Sequence, residues 1–309
     1  MSREDVRPSV HRTARIGVAA AFVLIVAGGL VTSRDAGLAV PDWPLAYGEL
    51  NPPGWWRIEN VRTEHLHRII AFLVASWTAF LLWQVWRHPD TLTRRLGFAA
   101  AALVLVQALL GGLRVLHLSL DLAMVHGLVG QMYFASMIAV ATVTAPGWSD
   151  AREPVAATDR TLAAMLLAAV VAQLGLGIFI RHLGVSVRPL AGSALYYSHV
   201  VLAGLVLCLV LELRRRAQAL SEEVELPCTR LLVSLMAVQI VLGIGSFIVT
   251  ESMEYDRQAT VLEAWLPTLH VACGAAILGA TVVLNLHAAR SALGVRPLPA
   301  TAPERGLAA

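Results

Sequence analysis

TEHLHRIIAFLVASWTAFLLWQVW, residues 63–86, sets two histidines, a glutamate and an arginine at one end of an apolar run. A hydrocarbon core about 30 Å thick needs about 20 helical residues to cross it, and this run is long enough. Backbone polar groups in lipid must be satisfied within their own segment, so the run reads as a helix. Seven more runs of the same kind lie at 16–33, 96–116, 121–143, 161–181, 194–213, 230–250 and 264–287, with Gly, Pro and charges clustered between them. Composition agrees: 57% of the residues are hydrophobic and 15% charged, with a mean hydropathy of +0.66. The sequence therefore predicts an all-α polytopic membrane protein of eight transmembrane helices. The first run, Ile16–Val31, reads as a retained helix, because it lacks a small-residue cleavage site.

Charge gives an orientation. All 24 basic residues are arginine, and a net charge of +3 is too small to point to a nucleic-acid partner. Arg3, Arg7, Arg12 and Arg15 precede the first span, and Arg87, Arg94 and Arg95 separate the second from the third. Arg214, Arg215, Arg216 and Arg230 separate the sixth from the seventh, and Arg290, Arg296 and Arg305 follow the eighth. By the positive-inside rule these segments are cytoplasmic, as are both termini of a multi-pass protein of a bacterial-type cytoplasmic membrane. The loop before the last span, with Glu251, Glu254, Asp256 and Glu263, falls outside. Cys208, Cys228 and Cys273 are too scattered for a C-x-x-C metal site, and no disulfide between outer loops is expected.

A repeat runs through the ends of the odd spans: AGGLVTSRDAG, VQALLGGLRVLH, VAQLGLGIFIRHLG and VQIVLGIGSFIVT, with a kernel close to Q-x-x-L-G-x-G. Four spans per copy return the chain to its starting side. The expectation is two parallel, pseudo-symmetric four-helix bundles, residues 1–145 and 146–309. The same glycines also suit close helix packing.

Of ten histidines, His11, His88 and His287 lie in cytoplasmic segments, and His117 and His182 follow odd spans at the outer interface; all five read as incidental. His67, His126, His199 and His270 differ, each lying one or two turns inside the outer end of an even span. Ionisable groups at membrane depth are costly unless paired or liganded, so four at matched depth ask for one explanation. Neutral imidazole is a good axial ligand for haem iron, and two facing across a bundle saturate it. The repeat pairs His67 with His126 and His199 with His270, separated by 59 and 71 positions. Proton relay or packing is the other reading. Spacing alone does not separate His65 from His67.

The halves are unequal. Glu64 precedes His67 by three residues and shares its helix face, whereas Tyr196 holds that place before His199. A carboxylate beside one site points to chemistry in the first half and to a structural or electron-transferring haem in the second. The plainer role for Glu64 is an ion pair with Arg68 or Arg62. Arg68, Arg114 and Arg181 are candidate partners for haem propionates, through the two parallel bonds a guanidinium offers a carboxylate, or else they snorkel to the interface. The outer loop SRDAGLAVPDWPLAYGELNPPGWW supplies Trp43, Trp55 and Trp56, which suit an aromatic belt or a lid over the first site.

These motifs together, GGLVTSRDAGLAVPDWPLAYG, EHLHR and the histidines of spans four, six and eight, resemble the haem A synthase family over nearly the whole chain. The resemblance implies a substrate haem between His67 and His126, a cofactor haem b between His199 and His270, and Glu64 as the catalytic carboxylate. It further implies haem O as substrate and haem A as product, by oxidation of the C8 methyl to a formyl group, serving cytochrome oxidase biogenesis. Haem O synthase and an electron acceptor are the implied partners, beside membrane lipid. Many family members carry a cysteine pair in the first outer loop, and Ser33–Trp56 has none. A dihaem b-type, quinol-oxidising electron-transfer subunit and a parallel-repeat transporter are the competing readings.

Overall fold

A computed structural model describes residues 3–150, 155–183, 193–220, 225–253, 258–290 and 293. The described residues form eight α-helices: α1 Arg3–Ser33, α2 Glu59–Val85, α3 Thr91–Leu116, α4 Leu120–Val143, α5 Ala157–Leu183, α6 Ala194–Leu220, α7 Glu225–Glu251 and α8 Val261–Ala288. All eight are long and apolar enough to cross a membrane. The helices overrun the apolar runs that announced them. α1 begins at Arg3 rather than near 16, and α6 continues to Leu220 rather than 213. Hydropathy marks only the part of a helix that meets hydrocarbon, while the hydrogen-bonded ladder continues into water. Glu254, Asp256, Arg296 and Arg305 lie outside the described residues.

Polar residues at the helix starts satisfy the first amides, which have no partner within a helix. Asp90 accepts from the Thr93 amide at 2.7 Å at the start of α3, and Ser119 accepts from the Leu122 amide at 3.2 Å before α4. Thr260 and Glu263 form a reciprocal capping box on α8.

Packing produces two large hydrophobic clusters between the helices and a small one, Val40, Ala46 and Val61, between the loop after α1 and the start of α2. One large cluster draws on α1–α4 with Ala275 of α8; the other draws on α5–α8 with Ala139 of α4. α4 and α8 are the interior helices, with 44% and 56% of their apolar windows buried against 11% for α7. Each meets the other, and each packs on both α1 and α5. Several interior polar groups are paired across helices: Thr78 with the Tyr133 hydroxyl at 2.6 Å, the Trp77 indole N–H with the Thr13 carbonyl at 2.9 Å, and the Asn285 amide with the Ala163 carbonyl at 2.8 Å.

His11 and His88 are less incidental than their polar sequence context implied. His11 Nδ1 donates to the Ala141 carbonyl at 3.0 Å, joining α1 to α4. His88 is buried and its Nδ1 accepts from the Asp90 amide at 3.2 Å. His287 meets Trp148 edge-on at 5.2 Å.

Burial alone would raise the Asp90 carboxyl, but the bonds from Thr93 outweigh it and hold it below the usual carboxylate range. A folded-state value below the unfolded one contributes stability above about pH 4, which fades as pH falls through the lower value. Asp90→Ala should lower stability by about 1 kcal/mol at neutral pH. Thermal unfolding in detergent should show the deficit at pH 7 and show it shrinking under strong acid.

Candidate functional site

The four membrane histidines share one local geometry. Each imidazole lies against a glycine of the preceding odd helix, closer than a Cβ at that glycine would ordinarily allow. The ring Cε1 of His67 is 3.1 Å from that position at Gly28, and His126 has the same distance at Gly111. His199 lies 3.2 Å from the corresponding point at Gly177, and His270 lies 3.0 Å from that at Gly243. Any side chain at these glycines would press on the ring. The glycines of the odd-helix repeat thus seat the histidines, a role beyond close packing.

The glutamine of the repeat lies one turn before the glycine and fastens the same histidine. Gln107 donates its side-chain amide to the His126 main-chain carbonyl at 2.9 Å, while His126 Nδ1 donates to the Gln107 main-chain carbonyl at 3.1 Å. His270 Nδ1 donates to the Gln239 carbonyl at 3.2 Å, and the Gln239 amide lies 3.2 Å from His270 Nε2. Gln173 reaches both the His199 carbonyl, at 3.0 Å, and His199 Nε2, at 3.1 Å. For His270 both contacts assign one tautomer: the proton is on Nδ1 and the lone pair on Nε2, the form that ligates a metal.

The rings of His199 and His270 face one another with centroids 6.4 Å apart. A metal–imidazole bond is about 2 Å and a ring nitrogen lies about 1.1 Å from its centroid, so one axially held metal separates two rings by about 6 Å. The second pair therefore fits an axial bis-imidazole site. His67 and His126 are electrostatic neighbours of each other, and both neighbour Arg114.

His65 is in a different setting. Two positions from His67, it lies about 200° around the helix. It is 4% exposed and packs on Trp55 with ring centroids 4.8 Å apart. The structure thus separates the two histidines that spacing left equivalent: His67 joins the glycine-seated set and His65 supports the loop.

Glu64 is 4% exposed and both its oxygens are occupied. The Val40 amide donates to Oε2 at 2.8 Å, and Arg68 Nη2 donates to Oε1 at 2.6 Å. Arg68 is thus its ion-pair partner, whereas Arg62 bonds the Trp56 carbonyl at 3.3 Å. Arg68 also donates to the carbonyls of Asp42 at 2.7 Å, Leu45 at 3.0 Å and Val40 at 3.0 Å. Its terminal N–H groups are therefore spent on the loop and on Glu64.

Loop 34–57 is folded down over α2 and α3 rather than spread along the interface. Arg114 holds it through the Gly37 carbonyl at 3.1 Å. The Trp43 indole lies on Gly112, with Cε2 2.7 Å from the point a Cβ would occupy, next to the glycine that seats His126. Its tip is closed by Asp42, which accepts from the Tyr47 and Gly48 amides at 2.7 Å each. Those bonds, the Gly48 amide first, hold the Asp42 carboxyl below the usual range. A short 3-10 turn, Trp55–Arg57, leads into α2.

Arg181 of α5 reaches across to α1, donating to the Gly29 carbonyl at 2.6 Å and Ser33 Oγ at 2.7 Å. Ser33 in turn meets Thr268 of α8 at 3.1 Å. Tyr196, in the place Glu64 holds in α2, stacks on Phe247 with centroids 4.8 Å apart.

Arg68→Leu removes four bonds and leaves the Glu64 carboxyl buried without its cation, a change that costs about 3–5 kcal/mol in comparable pairs. Limited proteolysis should then cut within residues 34–57 at least about tenfold faster than in the unaltered protein, and an unchanged cleavage rate would show that Arg68 does not hold the loop.

Residues 1–138 match the family model COX15-CtaA, described as "Cytochrome oxidase assembly protein". Among curated relatives, "Heme A synthase" of Azorhizobium caulinodans is 35% identical over 159 residues, covering 48% of this chain and 44% of the relative. "Heme A synthase" of Maricaulis maris is 33% identical over 151 residues, 43% and 44% of the two chains. That of Paracoccus denitrificans is 34% identical over 116 residues, 34% and 30%. The matched stretch spans less than half the length of each of these relatives. The family model covers α1, α2, α3 and most of α4, with His67, His126, Glu64 and the loop.

Proposed function

We propose that this chain is a haem A synthase, oxidising the C8 methyl of haem O to the formyl group of haem A in the membrane. The carrying observation is Glu64: a buried carboxyl on the face of α2 that bears glycine-seated His67, beneath a loop that seals the same helix ends. A carrier of electrons needs the histidine pairs but has no evident use for a carboxylate clamped beside one of them and lacking at Tyr196. Family resemblance over the first half points the same way.

In this reading His67 and His126 hold the substrate haem, and His199 and His270 hold haem b. Haem b, when bound, supplies one-electron redox chemistry. Glu64 would stand beside the substrate haem held by His67, where a carboxylate in a water-poor setting would stabilise developing positive charge or accept a proton. Arg68 keeps Glu64 in place and the loop shut, which excludes water. Propionate binding falls to Arg114 and Arg181, because Arg68 has its donors engaged. The arginine distribution sets both sites toward the outer face, with the termini cytoplasmic.

Glu64→Gln keeps an acceptor for the Val40 amide while removing the charge. Co-expressed with a haem O source, this variant should retain bound haem yet convert haem O at least about a hundredfold more slowly, read by chromatography of extracted haems. Full conversion would sink the role. His270→Ala should abolish the low-spin haem b spectrum while leaving the other haem in place; an unaltered spectrum would contradict the pairing.

A further inference from the structure

Arg68, Arg114 and Arg181 flank the histidine pairs, and their donors are spent unequally. Arg68 has given its terminal N–H groups to the loop and to Glu64. Arg181, one turn beyond the glycine that His199 lies against, is an electrostatic neighbour of His270 and so belongs to the second pair. Arg114 belongs to the first. It follows Gly111 by three residues, on the face of α3 that His126 lies against, and both His67 and His126 are its electrostatic neighbours. Its one bond among the described residues runs from Nη2 to the Gly37 carbonyl, and it forms no ion pair with any of them. Nε and Nη1 are left to donate to a ligand.

One short stretch of loop places both Arg114 and Glu64. Gly37 accepts the Arg114 bond, and Val40 gives its amide to Glu64 at 2.8 Å. Three residues span about 10 Å at full extension, and here the chain is bent, because the Ala39 amide donates to the Ala36 carbonyl at 3.2 Å. Glu64 is accordingly an electrostatic neighbour of Arg114. The first site thus combines a cation that has donors to spare with a carboxylate whose place is fixed.

A haem carries its propionates on neighbouring pyrrole rings. In haem O the C8 methyl shares its ring with one propionate and the C5 methyl with the other, whereas the C1 and C3 methyls stand on the opposite rings. A guanidinium holds a carboxylate through strong, charge-assisted N–H donors. We propose that Arg114 selects the methyl to be oxidised: it takes the propionate of the ring that carries C8 and so sets that methyl beside Glu64. The C1 and C3 methyls, across the macrocycle, are then out of reach. Turning the haem over exchanges C5 and C8, and forbidding that is left to the rest of the pocket. The inference rests on the proposed haem A synthase reading.

The test alters the substrate as well as the protein. Haem O, and haem O esterified on one propionate or on the other, are titrated by absorbance into unaltered and Arg114→Leu protein whose second site already holds haem b. The position of the formyl group in extracted products is read by nuclear magnetic resonance. In the unaltered protein, esterifying the propionate beside C8 should weaken binding at least about tenfold more than esterifying the one beside C5. In Arg114→Leu the two esters should bind alike, and oxidation should spread to other ring methyls. Equal binding of the two esters by the unaltered protein, a difference between them that survives in Arg114→Leu, or exclusive C8 oxidation by that variant would overturn the inference. If the variant does not accumulate or does not oxidise, the ester comparison on the unaltered protein decides. Unaltered protein that binds haem O but forms no haem A would instead overturn the functional reading itself.

Discussion

An imidazole carried into the interior of a helix bundle needs space for its ring and a partner for its nitrogens. Four glycines on the odd helices provide the space: at each, a Cβ would come within 3.0–3.2 Å of the ring of the next helix's histidine, tighter than ordinary contact. That fit sets how α1 lies on α2, α3 on α4, α5 on α6 and α7 on α8, because a shift by one residue would drive a side chain into the ring. The positions of Glu64, Arg68 and the outer loop follow from this register.

Around the first pair, the loop and the site are built from the same bonds. Arg68 joins three loop carbonyls to the Glu64 carboxyl, and the Val40 amide returns from the loop to the other carboxyl oxygen. Opening the loop would strip Glu64 of its partners, and moving Glu64 would loosen the loop. Access to the site and the setting of its carboxyl are therefore coupled. Arg181, by contrast, couples helices far apart in sequence, α5 to α1, and with Ser33 and Thr268 it ties α8 into the same junction. At this junction Thr268, two residues from His270, fills the space a side chain at Gly29 would need, one residue from the glycine that His67 lies against.

The second pair is built differently. Its rings stand at the separation of two axial ligands, and glutamine amides address both. Tyr196 stacks on Phe247 where α2 has a buried acid, so this end of the second pair is closed by aromatic packing.

Much of this was legible in the residues alone. Eight apolar runs determined an eight-helix membrane protein, and four histidines at matched depth with a glutamate three residues from one of them marked the residues to look for, because length, hydropathy and helical periodicity are local properties. The odd-helix repeat was visible too, but its meaning was not, since a glycine's role depends on what the neighbouring helix brings to it. Only the tertiary structure set His67 against Gly28 and His65 against Trp55, gave Arg68 to the loop, buried His88, and showed that the glutamines of the repeat bond to histidines of the next helix. Each of these depends on contacts between segments distant in sequence, and such contacts exist only once the helices have packed.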